Sequence, residues 1–149
     1  MVLLDSNIFI LDRFFPRDSL YAQNKAFVEI LASMDAAISS LTLLEICGAA
    51  SFRLSADELS AWLFGFGAVY PVSVLDVHGL KTTDGEAWWS AFVEQVAANI
   101  AKKMTFGDAV LLREAERYQV EAVVTWNTKD FIRRTPVNVL TPAAYLQRR

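Results

Sequence analysis

The sequence predicts an α/β domain: a three-layer α/β/α sandwich around a short central parallel sheet. Three observations predict it. Five short runs are apolar on both faces, which suits strands covered by helices on both sides. Apolar residues at helical spacing fill the intervals between them. The length of 149 residues and the apolar fraction of 54% fit one domain, residues 1–149, with a sizeable core. Alternation of strands with helices then implies right-handed crossovers between parallel neighbours.

The strand candidates, in order, are Val2–Leu4, Ala37–Ser40, Ser73–Val77, Ala122–Thr125 and, with a weaker pattern, Val137–Leu140. The first ends at Asp5, and Ser6-Asn7 and a second apolar run, Ile8-Phe9-Ile10-Leu11, follow it. Helical spacing joins Leu20, Phe27, Leu31 and Met34, and again Leu59, Trp62, Leu63 and Phe66. Trp88, Phe92, Val96 and Ile100 mark a third helix, and Leu111, Leu112, Ala115 and Tyr118 a fourth. No internal repeat, low-complexity segment or linker interrupts the pattern.

Composition narrows the function. A net charge of −3 advertises no broad basic surface, although a metal ion can neutralise an acidic site locally. The single cysteine, Cys47, excludes an internal disulfide, fits a reducing compartment and reads as a buried thiol in an apolar helix. The N-terminal apolar run is broken by Asp5 and lacks a basic leader, so a cytoplasmic protein is expected. The longest uncharged stretch, from Leu59 to Leu75, contains Gly65, Gly67 and Pro71, so no membrane span is expected. That stretch still carries more apolar side chains between Ala61 and Tyr70 than one helix face buries, which predicts a dimer or a partner over it.

Four acids follow or flank the strand candidates: Asp5, Glu45, Asp108 and Asp130. Three have a bland explanation. Thr42-Leu-Leu-Glu45 and Thr105-Phe-Gly-Asp108 match a capping box, and Asn127-Thr-Lys-Asp130 resembles one. Ser55–Glu58 and Thr83–Glu86 fit the same pattern and carry no chemistry. Position shifts the balance: Asp5 and Asp130 follow two different strand candidates, and Glu45 follows a third. Strand ends of a parallel sheet converge on one edge, where ligands bind. Carboxylates meeting there repel one another unless a cation joins them, and Mg²⁺ or Mn²⁺ accepts such oxygen ligands. Hydrolysis at a metal centre needs no His, Ser or Cys nucleophile, which suits a chain with one histidine and no Gly-x-Ser-x-Gly elbow.

Other residues read as structure. His78 has no partner at ligand spacing. Trp88-Trp89 could stack on bases, but one of the two belongs to the core at helical spacing. Of the basic residues, Lys129 and Arg133-Arg134 flank a candidate ligand and are the better phosphate contacts.

At these residues the chain resembles the PIN-domain ribonucleases, in particular the VapC-type toxins of toxin–antitoxin pairs. The resemblance rests on Leu4-Asp5-Ser6-Asn7-Ile8, on Leu43-Leu44-Glu45-Ile46, on Gly107-Asp108-Ala109, and on Thr125-Trp126-Asn127-Thr128-Lys129-Asp130-Phe131. These four motifs, each weak alone, occur in family order across nearly the whole chain. The resemblance implies a PIN-like α/β/α sandwich and Mg²⁺- or Mn²⁺-dependent cleavage of RNA. It also implies a homodimer and inhibition by a small antitoxin protein. It marks Asp5, Glu45 and Asp108 as metal ligands and Asp130 as a fourth, reached directly or through water. Ser6, Thr125 and Asn127 would orient carboxylates or water behind them. Two departures stand out: Trp126 occupies a position where a basic residue is common, and Lys81–Met104 follows no family pattern.

Two rival readings remain. One is a PIN-like scaffold that binds RNA or protein without cutting. The other is a phosphoacceptor receiver domain with Asp76 and Lys129 in the acceptor and lysine roles, but Ser6 and Asn7 do not supply the acidic pair that fold needs after its first strand.

Overall fold

The computed structural model describes residues 1–75 and 84–148. Five parallel strands form one sheet in the order β3-β2-β1-β4-β5: β1 (Val2–Leu4), β2 (Ala36–Ser39), β3 (Ser73–Leu75), β4 (Ala122–Val124) and β5 (Asn138–Leu140). The expected strands are all present, each within about a residue or two of the bounds read from the sequence. The last two residues of the third candidate lie outside the described residues, as do Asp76 and His78.

The helices are α1 (Ser6–Phe14), α2 (Tyr21–Glu29), α3 (Ser40–Ala50), α4 (Ala56–Val69), α5 (Gly85–Ala101), α6 (Phe106–Arg117) and α7 (Pro142–Leu146). Four coincide with the helical patterns. Helices α1, α3 and α7 come in addition. The run Ile8–Leu11, about one turn long, is too short to show a helical period; Ile8, Phe9 and Leu11 are buried. The pattern drawn through Met34 ends earlier than expected: α2 stops at Glu29, and Leu31–Ser33 form a separate 3-10 turn.

Alternation along the strands divides the core in two. Val2, Leu4, Ile38 and Val124 point into a cluster with Phe9, Phe27, Ile46 and Phe66. Leu3, Ala37 and Val123 point the other way, into a cluster with Phe92, Val96, Leu111 and Leu112. Helices therefore cover both faces of the sheet, and the α/β/α sandwich follows. No helix of the described residues is long and apolar enough to cross a membrane.

The strand order positions the site. From β1 the chain moves outward through β2 to β3, then returns to the other side of β1 for β4 and β5. Connections diverge between β1 and β4, so the crevice beyond their carboxyl ends is the switch point at which open α/β sheets bind ligands. Leu4 and Val124 are paired in register there, and the next residues are Asp5 and Thr125.

Candidate functional site

Asp5 occupies the N-cap position of α1, yet its side chain makes no capping hydrogen bond. Its Oδ2 accepts instead from the Thr125 hydroxyl at 2.5 Å and from Asn7 Nδ2 at 2.6 Å, and its Oδ1 accepts from the Ser6 hydroxyl at 3.2 Å. Its backbone N–H donates to the Val124 carbonyl at 3.0 Å, which ties the two strand ends together. Asp5 is 9% exposed. Burial pushes its carboxyl up to about 6, opposed by the Thr125 hydrogen bond and reinforced by the charges of Glu45 and Asp108.

Glu45 is not at a helix start. The expected Thr42–Glu45 capping box is absent because α3 begins earlier: Ser39 is the N-cap and accepts from the Thr42 backbone N–H at 3.0 Å. Glu45 thus stands in the second turn of α3, exposed as a residue but with a partly desolvated carboxylate. That desolvation raises its pKa, a Ser6 hydrogen bond lowers it, and the Asp108 charge raises it again. Ser6 lies between the Asp5 and Glu45 carboxylates. A Cβ placed on Gly107 would come within 3.0 Å of Glu45 Oε1, so the start of α6 passes this carboxylate at a distance that favours glycine.

Asp108 is in the first turn of α6, as its Thr105 motif predicts. Thr105 accepts from the Asp108 backbone N–H at 3.3 Å, and the Thr105 hydroxyl donates to Asp108 Oδ2 at 2.6 Å. Thr105 is the cap, and the acid that its motif places in the first turn is the candidate ligand. Asp130 stands apart from the other three. It ends the 3-10 turn Thr128–Asp130, and its Oδ2 accepts from Asn127 Nδ2. Asn127 does not cap that turn with its side chain; its backbone N–H donates to the Thr125 hydroxyl at 2.9 Å. Asp130 therefore connects to Asp5 through Asn127 and Thr125.

Two residues outside the predicted set complete the arrangement. Asn7 donates to both Asp5 Oδ2 and Thr125 Oγ1 and accepts from the Trp126 backbone N–H at 3.3 Å. Its place in the Asp5-Ser6-Asn7 motif was the available signal. Asn24 is fully buried on α2, donates to the Ile8 carbonyl at 2.9 Å and accepts from the Trp126 indole N–H at 2.8 Å. No local pattern marks it. This contact gives Trp126 a structural role, holding the β4 end against α1 and α2. Of the flanking basic residues, Lys129 is exposed, while Arg134 donates to the Asp130 carbonyl.

All the donors gathered here are oxygens, the chemistry of a hard divalent cation. Burial is the main cause that raises Asp5 and Glu45, and the neighbouring carboxylates add to it; a bound cation relieves both. Among the described residues, no three His, Cys, Asp or Glu side chains are close enough as placed to hold one ion between them.

Solved structures of similar shape were found in toxin–antitoxin systems. The chain aligns with the FitAcB structure from Neisseria gonorrhoeae at 18% identity and a TM-score of 0.63, over 95% of this chain and 98% of that one. It aligns with a toxin–antitoxin complex from Klebsiella pneumoniae at 23% identity and a TM-score of 0.59, again over 95% and 98%. DNA-bound VapBC from Salmonella typhimurium gives 23% identity and a TM-score of 0.61 over 95% and 97%. No protein-family model and no curated protein sequence matches the chain. The shared property is the PIN-like fold, along almost the full length of each chain.

Proposed function

We propose that this chain is a Mg²⁺- or Mn²⁺-dependent endoribonuclease and the toxin of a toxin–antitoxin pair. The observation that carries the proposal is the buried Asp5 carboxylate at the switch point of a PIN-like sheet, raised by burial and, after it, by the charges of Glu45 and Asp108. Toxin–antitoxin complexes among the structures of similar fold support the second half, and with it a small antitoxin partner. The apolar surface that α4 leaves uncovered, with Phe64 84% and Val69 62% exposed, supports a protein partner or a second copy.

In this reading Asp5, Glu45 and Asp108 hold the cation, and Asp130 contributes through water. A bound divalent cation supplies charge neutralisation and an activated water for attack on an RNA phosphodiester. The protein's own part is orientation. Thr125, Asn7 and Ser6 fix the Asp5 carboxylate by three hydrogen bonds, so its oxygens need not be ordered when the cation arrives. Asn127 holds Asp130 on the same network. Lys129, exposed beside Asp130, is placed to meet a phosphate.

The alternative is a PIN-like scaffold that binds RNA or protein without cutting. Incubation of purified protein with RNA, with Mg²⁺ or Mn²⁺ and with EDTA, separates the two. The proposal expects cleavage that stops with chelator and is absent from Asp5→Asn. Equal products with and without EDTA would reject the metal-dependent reading, and RNA binding without cleavage under both metals would establish the scaffold.

A further inference from the structure

Two turns along α1 from Asp5, roughly 10 Å at the helical rise, lies a second carboxylate that the proposed reaction does not use. Asp12 has a side chain only 10% exposed. Its Oδ2 accepts from the Tyr70 hydroxyl at 2.8 Å. Its Oδ1 is buried and has no hydrogen-bond donor among the described residues. Lys25 Nζ approaches Oδ1 at 3.8 Å, an ion pair beyond hydrogen-bond distance, from a side chain 46% exposed. A buried carboxylate oxygen left in this state is costly unless something donates to it.

The same carboxylate lines a cavity of about 650 Å³ between α1, α2 and α4, a volume within the roughly 300–1,000 Å³ of ligand pockets. Tyr21, Trp62 and Tyr70 supply aromatic walls, and Val69 lines it while 62% exposed. Arg13 and Glu29 also line it; they are exposed and of opposite sign, so neither sets the sign of the interior.

An aromatic-walled cavity with an undersupplied buried carboxylate matches a cation on an apolar stem. A simple metal ion would meet the charge but leave the aromatic walls unfilled. A guanidinium meets both, because it is weakly hydrated, donates in a plane and stacks on aromatic rings. The geometry points to a cation subsite in which Asp12 receives the guanidinium of an arginine side chain presented by a partner polypeptide. Lys25 is the stand-in that swings to solvent when that side chain enters. The exposed flank of Val69 takes an apolar neighbour of the arginine. The identity of the occupant as a polypeptide rests on the reading that this chain works with a protein partner; the cation site itself does not.

The test is titration of the full chain, followed by NMR, with blocked peptides that differ in one feature each. Acetyl-Gly-Arg-Gly-amide is compared with its citrulline counterpart, a neutral isostere, and with acetyl-Leu-Arg-Leu-amide. The expected result is saturable shifts at Asp12, Lys25 and Tyr70, at least tenfold weaker binding of the citrulline peptide, and at least threefold tighter binding of the leucine-flanked one. Asp12→Asn, which still accepts from Tyr70, should weaken arginine binding at least tenfold. Lys25→Met, which removes the competing cation, should tighten it at least threefold. Equal binding of arginine and citrulline, or no saturable binding to wild type and Lys25→Met, would overturn the subsite. Equal binding of the two arginine peptides would overturn the polypeptide assignment. Cleavage of RNA by Asp12→Asn is measured alongside and should match wild type. An inactive wild type that still discriminates arginine from citrulline would sink the nuclease reading and leave the subsite standing.

Discussion

The Thr125 hydroxyl donates to Asp5 Oδ2 at 2.5 Å across 120 residues of sequence. That bond joins the ends of the two strands between which the sheet changes direction. Thr125 is fully buried, and its single oxygen also accepts from Asn7 Nδ2 and the Asn127 backbone N–H, each at 2.9 Å. One hydroxyl therefore sets the positions of Asp5, Asn7 and, through Asn127, Asp130.

Thr125→Val tests that role. Valine preserves the branched shape and removes the acceptor of two donors and the donor to one carboxylate. Buried groups left unpaired cost about 1–3 kcal/mol each, so a destabilisation of roughly 2–4 kcal/mol is expected in urea unfolding. The Asp5 carboxyl, which this bond holds down, should titrate higher than in wild type by NMR. A variant as stable as wild type, with Asp5 titrating as before, would contradict it.

The raised pKa of Asp5 makes stability depend on pH in a definite direction. The folded value of about 6 lies above the ordinary 3.8, so the folded state binds the proton more tightly than the unfolded chain. The resulting contribution is fully present below pH 3.8 and is lost as pH rises through 6. A shift of about two units corresponds to roughly 3 kcal/mol. Unfolding free energies in EDTA should therefore show wild type losing stability relative to Asp5→Asn between pH 4 and 7. A constant difference between the two proteins across that window would contradict the shift.

Gly107→Ala probes the spacing between α6 and Glu45. The added Cβ would sit 3.0 Å from Glu45 Oε1, so that carboxylate must move by a few tenths of an ångström. Alanine is favoured over glycine in a helix by about 1 kcal/mol, which offsets the crowding in the metal-free protein. The expectation is a melting temperature within a few degrees of wild type and a metal-induced stabilisation at least halved. An undiminished metal response would show that the position of Glu45 does not matter to binding.

Stability away from the site rests on an unusual pair. Arg113 and Glu114 are adjacent on α6 and both are buried, at 5% and 0% exposure. Arg113 also donates to Gln95 Oε1 at 2.9 Å and lies 4.8 Å from the Phe92 ring, which fixes α5 on α6. Burial raises the Glu114 pKa against the pull of Arg113 and Arg117. Arg113→Met keeps the bulk and strands the carboxylate, so a loss of about 3–5 kcal/mol is expected in chemical denaturation. A loss below 1 kcal/mol would mean that Arg117 alone compensates Glu114.

Much of this was legible in the chain. The end of the first strand pointed to Asp5, and the Thr105–Asp108 motif placed Asp108 in the first turn of its helix. Other features were not, for identifiable reasons. Helix α1 was missed because its apolar run, Ile8–Leu11, spans about one helical turn, too short to display a period. Glu45 read as a cap because Thr42 stands three residues before it, but Ser39 starts the helix and Thr42 is buried inside it. The second helix start misread was that of α5, where Asp84 is the N-cap and accepts from the Glu86 and Ala87 backbone N–H groups. Asn24 acts only through tertiary contacts with Ile8 and Trp126, which no local pattern encodes. The apolar surplus read between Ala61 and Tyr70 is present on α4, where Phe66 is buried, Trp62 and Leu63 are half-buried, and Phe64 and Val69 are exposed.

The central claim is that Asp5 is a metal ligand and not a structural cap. Asn caps a helix about as well as Asp but lacks the charge that holds Mg²⁺. The decisive measurement is the melting temperature of wild type and Asp5→Asn with and without Mg²⁺, alongside cleavage of RNA by each. At about a hundred times the dissociation constant, bound metal stabilises the folded state by roughly 2.7 kcal/mol, or roughly 5–10 °C for a chain of this size. Wild type should show that rise and cut RNA, and Asp5→Asn should fold, show little rise and cut nothing. An equal rise in both proteins, or full cleavage by the variant, would contradict the assignment.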